Sequence, residues 1–299
     1  MKLINYRYKQ EKRIGVLRDG KVLLPSLDAN QPIPYSDMLS LIGDGHQGLV
    51  KLAEWADNAP SEASVEIDER NLLAPILQPP RNIICLGWNY SEHINETQGN
   101  AIAQKDLPKY PIVFTKDIST INNPYDDIPY DAEVSEKIDW EAELAVVIGR
   151  TAHKINKEQA LDYVFGYTVV NDITARDLQR RHGQFFLGKS LPGSCPMGPC
   201  IVTTSEISDV QALAVRSYVN GVLKQNDTTA NQIFDVATVI SVISNIIVLE
   251  PGSVIATGTP SGVGYVRKPP EYLRPGDIVA CEVEGIGKIE NRITSNFRL

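Results

Sequence analysis

Two acidic side chains stand two positions apart at the start of the apolar segment that ends at Ile148. They are Glu141 and Glu143, and the residues after Glu143 are Leu, Ala, Val and Ile. In a β-strand, residues i and i+2 point to the same face, so both carboxylates would project side by side from one end of the strand. Two like charges so close together repel each other. The pair therefore predicts either a divalent cation or a strand edge bathed in water.

A third acid, Asp172, follows Glu143 by 29 residues, at the end of a predicted strand over residues 166–171. The intervening chain is long enough for a strand end, a crossover helix and a second strand, which would return Asp172 to the first strand. Three oxygen ligands without His or Cys favour Mg²⁺, Mn²⁺ or Ca²⁺ over zinc. The other interpretation of Asp172 is an acid at a helix start near Thr174.

Cationic and polar side chains follow the third acid. Arg176 and Gln179 are three positions apart on a predicted short helix and so share a face, and Lys189 stands in Gly188-Lys189-Ser190. An arginine fork and a lysine point charge beside a metal suit an anionic substrate such as a carboxylate. The alternative is that these cations form ordinary surface ion pairs with the acids.

A possible acid–base pair precedes these segments. His93 and Glu96 are three positions apart, so on a helical turn the carboxylate would orient and polarise the imidazole. A carboxylate-paired imidazole is a competent general base for water. A simple helix-surface pair is the alternative, but His93 follows a predicted strand and a glycine turn, where active-site loops sit. Residues 97–109 are polar and irregular, which predicts a lid.

The glycine-rich segment over residues 257–264 is not a phosphate-binding P-loop, because no Lys-Ser or Lys-Thr closes it. Its backbone N–H groups and Thr259 are suited to bind a carboxylate or an oxyanion. The alternative is a tight turn region.

Short strands and a few helices must position these residues. Strands are predicted over 82–87, 142–148 and 166–171, and helices over 37–59, 157–164, 174–181 and 233–247. Regular alternation of strand and helix is missing, so a mixed or antiparallel, barrel-like sheet fits better than a doubly wound fold. Asp19-Gly20 between two short strands predicts a hairpin. Three prolines within residues 71–81 predict a linker between a small domain over 1–72 and a larger one over 80–299.

Composition excludes several classes of protein. The chain has 299 residues, 42% of them hydrophobic, which excludes disorder and coiled coil as its main character. Its 29 basic and 37 acidic residues argue against binding to nucleic acid, whose partners are basic. Neither a signal peptide nor an apolar stretch long enough to span a membrane is evident. These features predict a cytoplasmic enzyme with no membrane partner.

Taken together, the sequence over about residues 80–299 resembles the fumarylacetoacetate hydrolase family. The resemblance rests on five ordered segments, which are Gly87-Trp88-Asn89-Tyr90-Ser91-Glu92-His93, Asp139-Trp140-Glu141-Ala142-Glu143-Leu144-Ala145-Val146-Val147-Ile148-Gly149-Arg150, Gly166-Tyr167-Thr168 with Asn171-Asp172-Ile173-Thr174-Ala175-Arg176-Asp177, Gly188-Lys189-Ser190, and Thr257-Gly258-Thr259-Pro260-Ser261-Gly262-Val263-Gly264. It implies an α+β, mostly β fold, in which a mixed β-roll catalytic domain carries a small N-terminal α+β domain. It also implies a homodimer.

The resemblance further implies a role for each candidate residue. Mg²⁺ or Mn²⁺ would be bound by Glu141, Glu143 and Asp172. His93 and Glu96 would form a catalytic dyad on a lid that orders when substrate binds. The site would be lined by the residues with cationic or polar side chains, namely Lys189, Arg176, Gln179 and Thr259.

The activity that we expect is hydrolysis of a C–C bond in a β-diketo acid of the acylpyruvate or fumarylpyruvate type. His93 would deprotonate water, and the metal and Lys189 would stabilise the enolate that leaves. A decarboxylase of a β-keto acid such as oxaloacetate, or an enol-acid isomerase or lyase, would use nearly the same site on a small anionic 2-oxo acid. A binding protein without catalysis is less consistent with the sequence, because the three acids and the dyad are all present.

Overall fold

The computed structural model describes residues 1–30, 33–98 and 107–295. Within these ranges the α-helices are α1 (Met38–Asp57), α2 (Ser91–Gln98), α3 (Arg176–Arg181), α4 (Phe186–Lys189) and α5 (Val236–Ser244). The strands are β1 (Lys2–Tyr8), β2 (Glu11–Arg18), β3 (Lys21–Leu23), β4 (Ser64–Glu66), β5 (Leu72–Leu73), β6 (Ile83–Gly87), β7 (Ile112–Lys116), β8 (Ile121–Asn122), β9 (Ile128–Pro129), β10 (Ile138–Asp139), β11 (Ala142–Ile148), β12 (Val164–Asn171), β13 (Thr174–Ala175), β14 (Cys195–Thr203), β15 (Ala214–Val219), β16 (Val222–Thr228), β17 (Val254–Ala256), β18 (Ile278–Val283) and β19 (Gly287–Thr294).

The strands form one large mixed sheet and two smaller ones. The large sheet runs in the order β4-β3-β2-β1-β14-β12-β11-β17-β6-β7, with β5 paired to β1 and β8 paired to β14. A five-stranded sheet has the order β16-β15-β18-β19-β9, and β10 pairs with β13. The pairs β17–β6, β14–β8 and β19–β9 are parallel, while the others are antiparallel. The predicted α+β, mostly β fold with a mixed sheet is confirmed.

Strand β11 lies in the middle of the core. Every residue from Ala142 to Ile148 is buried, because the strand is covered on both faces. Leu144 and Val146 pack into one hydrophobic cluster, and Ala145 and Val147 pack into another on the opposite face. The acids at its start are therefore carried into the interior, which excludes the strand edge bathed in water.

The N-terminal segment shares the large sheet. β1 pairs with β14, placing Lys2 opposite Val202. The predicted hairpin is confirmed, since Asp19 and Gly20 both adopt positive φ between β2 and β3, as a two-residue turn of type I′ requires. Asp37 caps α1 by accepting a hydrogen bond from the Ser40 backbone N–H. The boundary between residues 1–72 and 80–299 stays a prediction, with the two parts joined through one sheet.

The predicted helix over residues 157–164 is wrong in type. Lys157–Tyr163 is a 3₁₀ helix, and the side chain of Asn156 makes no capping hydrogen bond. The predicted start of the helix over 174–181 is also wrong. Thr174–Ala175 pairs with β10, and the Thr174 hydroxyl donates to the backbone oxygen of Asp172 instead of capping a helix. Helix α3 therefore begins at Arg176.

The predicted helix over residues 233–247 is shorter than expected. Helix α5 spans Val236–Ser244 and is capped by Asp235. Its start is delayed because the backbone N–H groups of Ile233 and Phe234 donate to Asn89, both at 2.8 Å. These contacts tie the chain before α5 to the loop between β6 and α2, a tertiary constraint that helical periodicity does not reveal.

No helix among the described residues combines the length and apolarity that crossing a membrane requires. The predicted lid over residues 97–109 lies largely outside the described residues. The homodimer and the cytoplasmic location stay predictions.

Candidate metal and substrate site

Three buried carboxylates converge where β11 begins and β12 ends. Glu141, Glu143 and Asp172 each contribute an oxygen, and the three oxygens lie within 4.8 Å of one another. The strands are antiparallel, with Ala142 opposite Asn171, so Asp172 returns directly beside Glu141. The Asp172 backbone N–H donates to the Glu141 carbonyl oxygen at 2.9 Å. The predicted convergence is correct, although it comes from an antiparallel pair and not from a crossover helix.

Two cationic side chains form ion pairs with Glu141. The Nζ atom of Lys189 lies 2.5 Å from its Oε2 and also 2.7 Å from Oδ2 of Asp172, and Arg176 lies 2.7 Å from its Oε1. Burial alone would raise the pKa of Glu141, but the charges of Lys189 and Arg176 outweigh burial and lower the pKa to about 2. Glu141 is thus held as an anion.

The pKa of Glu143 shifts in the opposite direction. Burial, followed by the negative charges of Asp172 and Glu141, raises the pKa of Glu143 well above its usual range. The Gly258 backbone N–H donates to its Oε2 at 2.8 Å, which offsets only part of this effect. The negative charge of the carboxylates, when ionised, therefore exceeds the positive charge of the cations in the site. Three hard oxygen donors with such an excess fit a divalent cation such as Mg²⁺ or Mn²⁺.

The buried charged groups in and around the carboxylate triad do not balance one another. Among the described residues, this cluster contains four buried acids and three buried cations. The acids are Asp139, Glu141, Glu143 and Asp172, and the cations are Lys116, Arg176 and Lys189. With all groups ionised, the cluster has one negative charge in excess. A dication would convert this excess into a single positive charge, which one carboxylate of a bound molecule would neutralise.

The predicted acid–base pair is formed on α2. The His93 Nδ1 atom lies 2.7 Å from Oε1 of Glu96, and the other oxygen of Glu96 accepts a hydrogen bond from the Gly262 backbone N–H at 2.8 Å. His93 is only 5% exposed, so the pair is not a solvated helix-surface pair. Because Nδ1 contacts Glu96, Nε2 is the nitrogen left for a reacting molecule.

A cavity of about 40 Å³ lies beside the carboxylates. Six of the nine predicted site residues line it, namely His93, Glu141, Arg176, Gln179, Lys189 and Thr259. Arg176 and Gln179 also share a hydrogen bond of 3.2 Å. Phe114, Phe185 and Tyr265 add aromatic walls, with the two phenylalanine rings packed edge to face. Polar groups on one side and aromatic rings on the other suit a small anion with a short carbon chain.

The glycine-rich loop binds carboxylates of the protein itself. Its backbone N–H groups at Gly258 and Gly262 donate to Glu143 and Glu96, and those of Gly264 and Tyr265 donate to Asp139. These N–H groups are therefore not available for a substrate carboxylate. The Thr259 hydroxyl donates to the Ala142 carbonyl oxygen and accepts from Gln225, although the side chain still lines the cavity.

Two charged residues of the site were missed by the sequence reasoning. Lys116, at the end of β7, lies 2.9 Å from Oδ1 of Asp172 and also donates to the backbone oxygens of Lys189 and Ile173. Asp139 accepts a hydrogen bond from Nε of Arg176 at 2.8 Å. Asp139 directly precedes the segment with the two glutamates, which was an available signal. Lys116 is a single lysine at the end of an apolar strand, which is only a weak one.

Comparison with known proteins identifies the family. The family described as "Fumarylacetoacetate (FAA) hydrolase C-terminal" matches residues 82–294. The chain belongs to the fumarylacetoacetate hydrolase family. Among its relatives in this family, the oxaloacetate tautomerase YisK of Bacillus subtilis (strain 168) is 46% identical over 269 residues, which cover 88% of each protein.

Solved structures agree with this assignment. The fumarylacetoacetate hydrolase EaFAH from psychrophilic Exiguobacterium antarcticum is 39% identical, with a TM-score of 0.87 and coverage of 99% of this chain and 100% of that one. Maleylpyruvate hydrolase from Sphingobium sp. SYK-6, solved with a manganese(II) ion and pyruvate, is 26% identical, with a TM-score of 0.77 over 98% of this chain and 99% of that one. The fumarylacetoacetate hydrolase family thus includes enzymes that act on small organic acids, and one solved relative contains a divalent metal.

Proposed function

We propose that this chain is a divalent-metal-dependent enzyme that interconverts the keto and enol forms of a 2-oxo acid of the oxaloacetate type. The observation that carries the proposal is one small cavity lined by Glu141, Lys189 and the carboxylate-oriented His93. Glu143 and Asp172 converge on Glu141 beside it. The similarity to an oxaloacetate tautomerase over most of both proteins supports the substrate.

The substrate would be held between the acids and the cations. Glu141, Glu143 and Asp172 would bind one Mg²⁺ or Mn²⁺, which as a Lewis acid supplies stabilisation of negative charge on an oxygen of the substrate. Arg176 and Gln179 face the cavity and would bind the carboxylate of the 2-oxo acid through the Gln179 amide and the Arg176 N–H groups that Asp139 and Glu141 do not use. The Lys189 ammonium adds a fixed positive charge close to the same place.

His93 would move the proton. In the keto form, its Nε2 takes a proton from C3, and the C–H electron pair becomes the C2–C3 double bond while the 2-oxo oxygen gains negative charge. The imidazolium would then give this proton to the 2-oxo oxygen, which yields the enol and restores neutral His93, and the reverse steps return the proton to C3. Glu96 holds the ring through Nδ1 and stabilises the imidazolium that forms.

Hydrolysis of a β-diketo acid is the second candidate, and the dyad favours it. A buried imidazole oriented by a carboxylate can also deprotonate water. The hydroxide would add to the distal carbonyl carbon, the C3–C4 bond would break, and the pyruvate enolate would recover the proton at C3. A maleylpyruvate hydrolase of similar structure supports this alternative.

One set of assays distinguishes the reactions. The Mn²⁺-loaded protein is mixed separately with enol-oxaloacetate, with equilibrated oxaloacetate and with acetylpyruvate. A tautomerase would speed the loss of the enol's ultraviolet absorbance without forming pyruvate. Formation of pyruvate and CO₂ from oxaloacetate as fast as the enol decays would instead show a decarboxylase, and acetate from acetylpyruvate would show the hydrolase. Full activity after removal of metal by a chelator would overturn the metal dependence.

A further inference from the structure

Arg180 is an exposed cation beside the cavity. Its guanidinium carbon lies 5.0 Å from the centre of the Tyr265 ring, and that ring lines the cavity. No ion pair to Arg180 is formed by any residue in the parts of the chain that the structure describes. The neighbouring Arg181, by contrast, pairs with Asp177 at 3.7 Å. Arg180 therefore combines an available charge with a fixed place next to the site.

Helix α3 places Arg180 on the same face as two residues of the cavity wall. Arg176, Gln179 and Arg180 occupy positions i, i+3 and i+4, which are neighbours on a helix surface. Arg176 is buried beside Glu141, while Arg180 is exposed. The row of donor groups thus runs from the carboxylate triad outward to the solvent, along Tyr265 in the cavity wall.

The surface on which Arg180 rests is held rigidly. Asp139 accepts hydrogen bonds from Nε of Arg176 and from the Tyr265 backbone N–H, so one buried carboxylate fixes both residues. The Arg176 guanidinium carbon also lies 4.2 Å from the centre of the Tyr265 ring. Contact between a guanidinium and an aromatic face restricts Arg180 while leaving its N–H groups free for a planar anion.

The charge of the site indicates what that anion is. With a dication bound, the buried cluster carries one positive charge in excess, which the first carboxylate of a 2-oxo acid neutralises. A second carboxylate on the same molecule would find no further positive charge in excess within this cluster. Arg180 offers this charge at the rim.

We propose that Arg180 forms a second carboxylate subsite, which makes 2-oxo dicarboxylic acids the preferred substrate class over monocarboxylic 2-oxo acids. This inference rests on the proposed function, since the 2-oxo acid end of the substrate must lie at the triad. Arg180 acts here as a specificity-determining residue. It takes no part in the proton transfer.

Two four-carbon probes test the subsite without requiring turnover. 3,3-Difluorooxaloacetate has two carboxylates and no C3 proton to lose, and 2-oxobutyrate has the same chain length with one carboxylate. Calorimetry on the Mn²⁺-loaded protein measures the dissociation constant of each. We expect Arg180→Gln to weaken binding of the dicarboxylate about twofold to fivefold, the range for a solvent-exposed ion pair, and to leave 2-oxobutyrate unchanged.

Arg181→Gln is the matched control, because it removes the same charge from the next residue. It should leave both dissociation constants unchanged, and Mn²⁺ binding should be the same in both variants. Equal weakening of both probes by Arg180→Gln, or an equal effect of Arg181→Gln, would overturn the subsite while leaving the proposed function intact. Failure of the Mn²⁺-loaded wild-type protein to bind either probe would overturn the 2-oxo acid site itself, and the subsite with it.

Discussion

The ammonium nitrogen of Lys116 lies 2.9 Å from Oδ1 of Asp172, and neither side chain has any exposed surface. Asp172 also pairs with Lys189 at 2.7 Å, but without Lys116 the buried cluster would carry one more unbalanced negative charge, and breaking a buried ion pair by removing one partner typically costs about 3–5 kcal/mol. We therefore expect Lys116→Met to lower the free energy of unfolding by roughly that amount. Urea denaturation of the metal-free protein measures it.

Lys157→Met is the control for this prediction. Lys157 pairs with Asp235 at 2.7 Å, but about half of the lysine side chain is exposed. Loss of this pair should cost at most about 1 kcal/mol, as for other solvated pairs. If both variants lost the same small amount of stability, the ion pair between Lys116 and Asp172 would contribute no more than a solvated pair does.

Glu143→Gln tests the metal site. Glutamine resembles the protonated carboxyl that the raised pKa of Glu143 favours in the absence of metal, so the variant should fold normally. The variant lacks a charged ligand oxygen. Loss of a residue that only supports a metal ligand lowers metal affinity by ~10–100-fold, and we expect the loss of Mn²⁺ affinity in Glu143→Gln to be larger. Calorimetric titration with Mn²⁺ measures this, with the exposed Glu133→Gln as control. Equal Mn²⁺ affinity of the two variants would place the metal elsewhere.

His93→Asn separates proton transfer from metal binding. Loss of a general base typically lowers the rate by about 10²–10⁴-fold, and we expect this decrease in kcat for the reaction identified by the assays above. The His93 side chain forms its hydrogen bond with Glu96 and not with any of the three carboxylates of the metal site. We therefore expect the Mn²⁺ affinity to be unchanged. The exposed His153→Asn should retain full kcat. Wild-type kcat in His93→Asn would exclude the dyad from the chemistry.

The convergence of the acids was predictable from local patterns. An apolar run after Glu143 predicts β11, a second apolar run before Asp172 predicts β12, and the spacing allows the second strand to return to the first. The connection was not predictable in the same way, because the strands form an antiparallel pair without the expected crossover helix. The dyad was predictable for the same reason, because His93 and Glu96 are neighbours on one helix turn. Each of these relationships depends on residues that are close in sequence or on two adjacent strands.

The features that could not be predicted from the sequence are contacts between residues that are far apart along the chain. Lys116 meets Asp172 from a strand at the edge of the large sheet, and no periodicity connects the two positions. The start of α5 is set by hydrogen bonds to Asn89, so apolar spacing overestimated its length. The glycine-rich loop predicts backbone N–H groups that bind an anion, but in the structure those of Gly258 and Gly262 are occupied by carboxylates of the same chain, Glu143 and Glu96. Only the folded structure reveals these partners.

The capping carboxylate of α5 predicts how stability depends on pH. Burial raises the pKa of Asp235, but hydrogen bonds from Lys157 and Thr238 outweigh burial, so its pKa in the folded protein lies below the usual value of about 3.9. Its charge therefore stabilises the folded state above pH ~4, and this contribution is lost as the pH falls through the folded pKa. Asp235→Asn keeps a good capping oxygen without the charge. We expect it to be less stable than wild type at pH 7, with the difference shrinking below pH ~4. Urea denaturation from pH 7 to about 3 tests this, and a difference that stays constant over that range would show that the charge is not responsible.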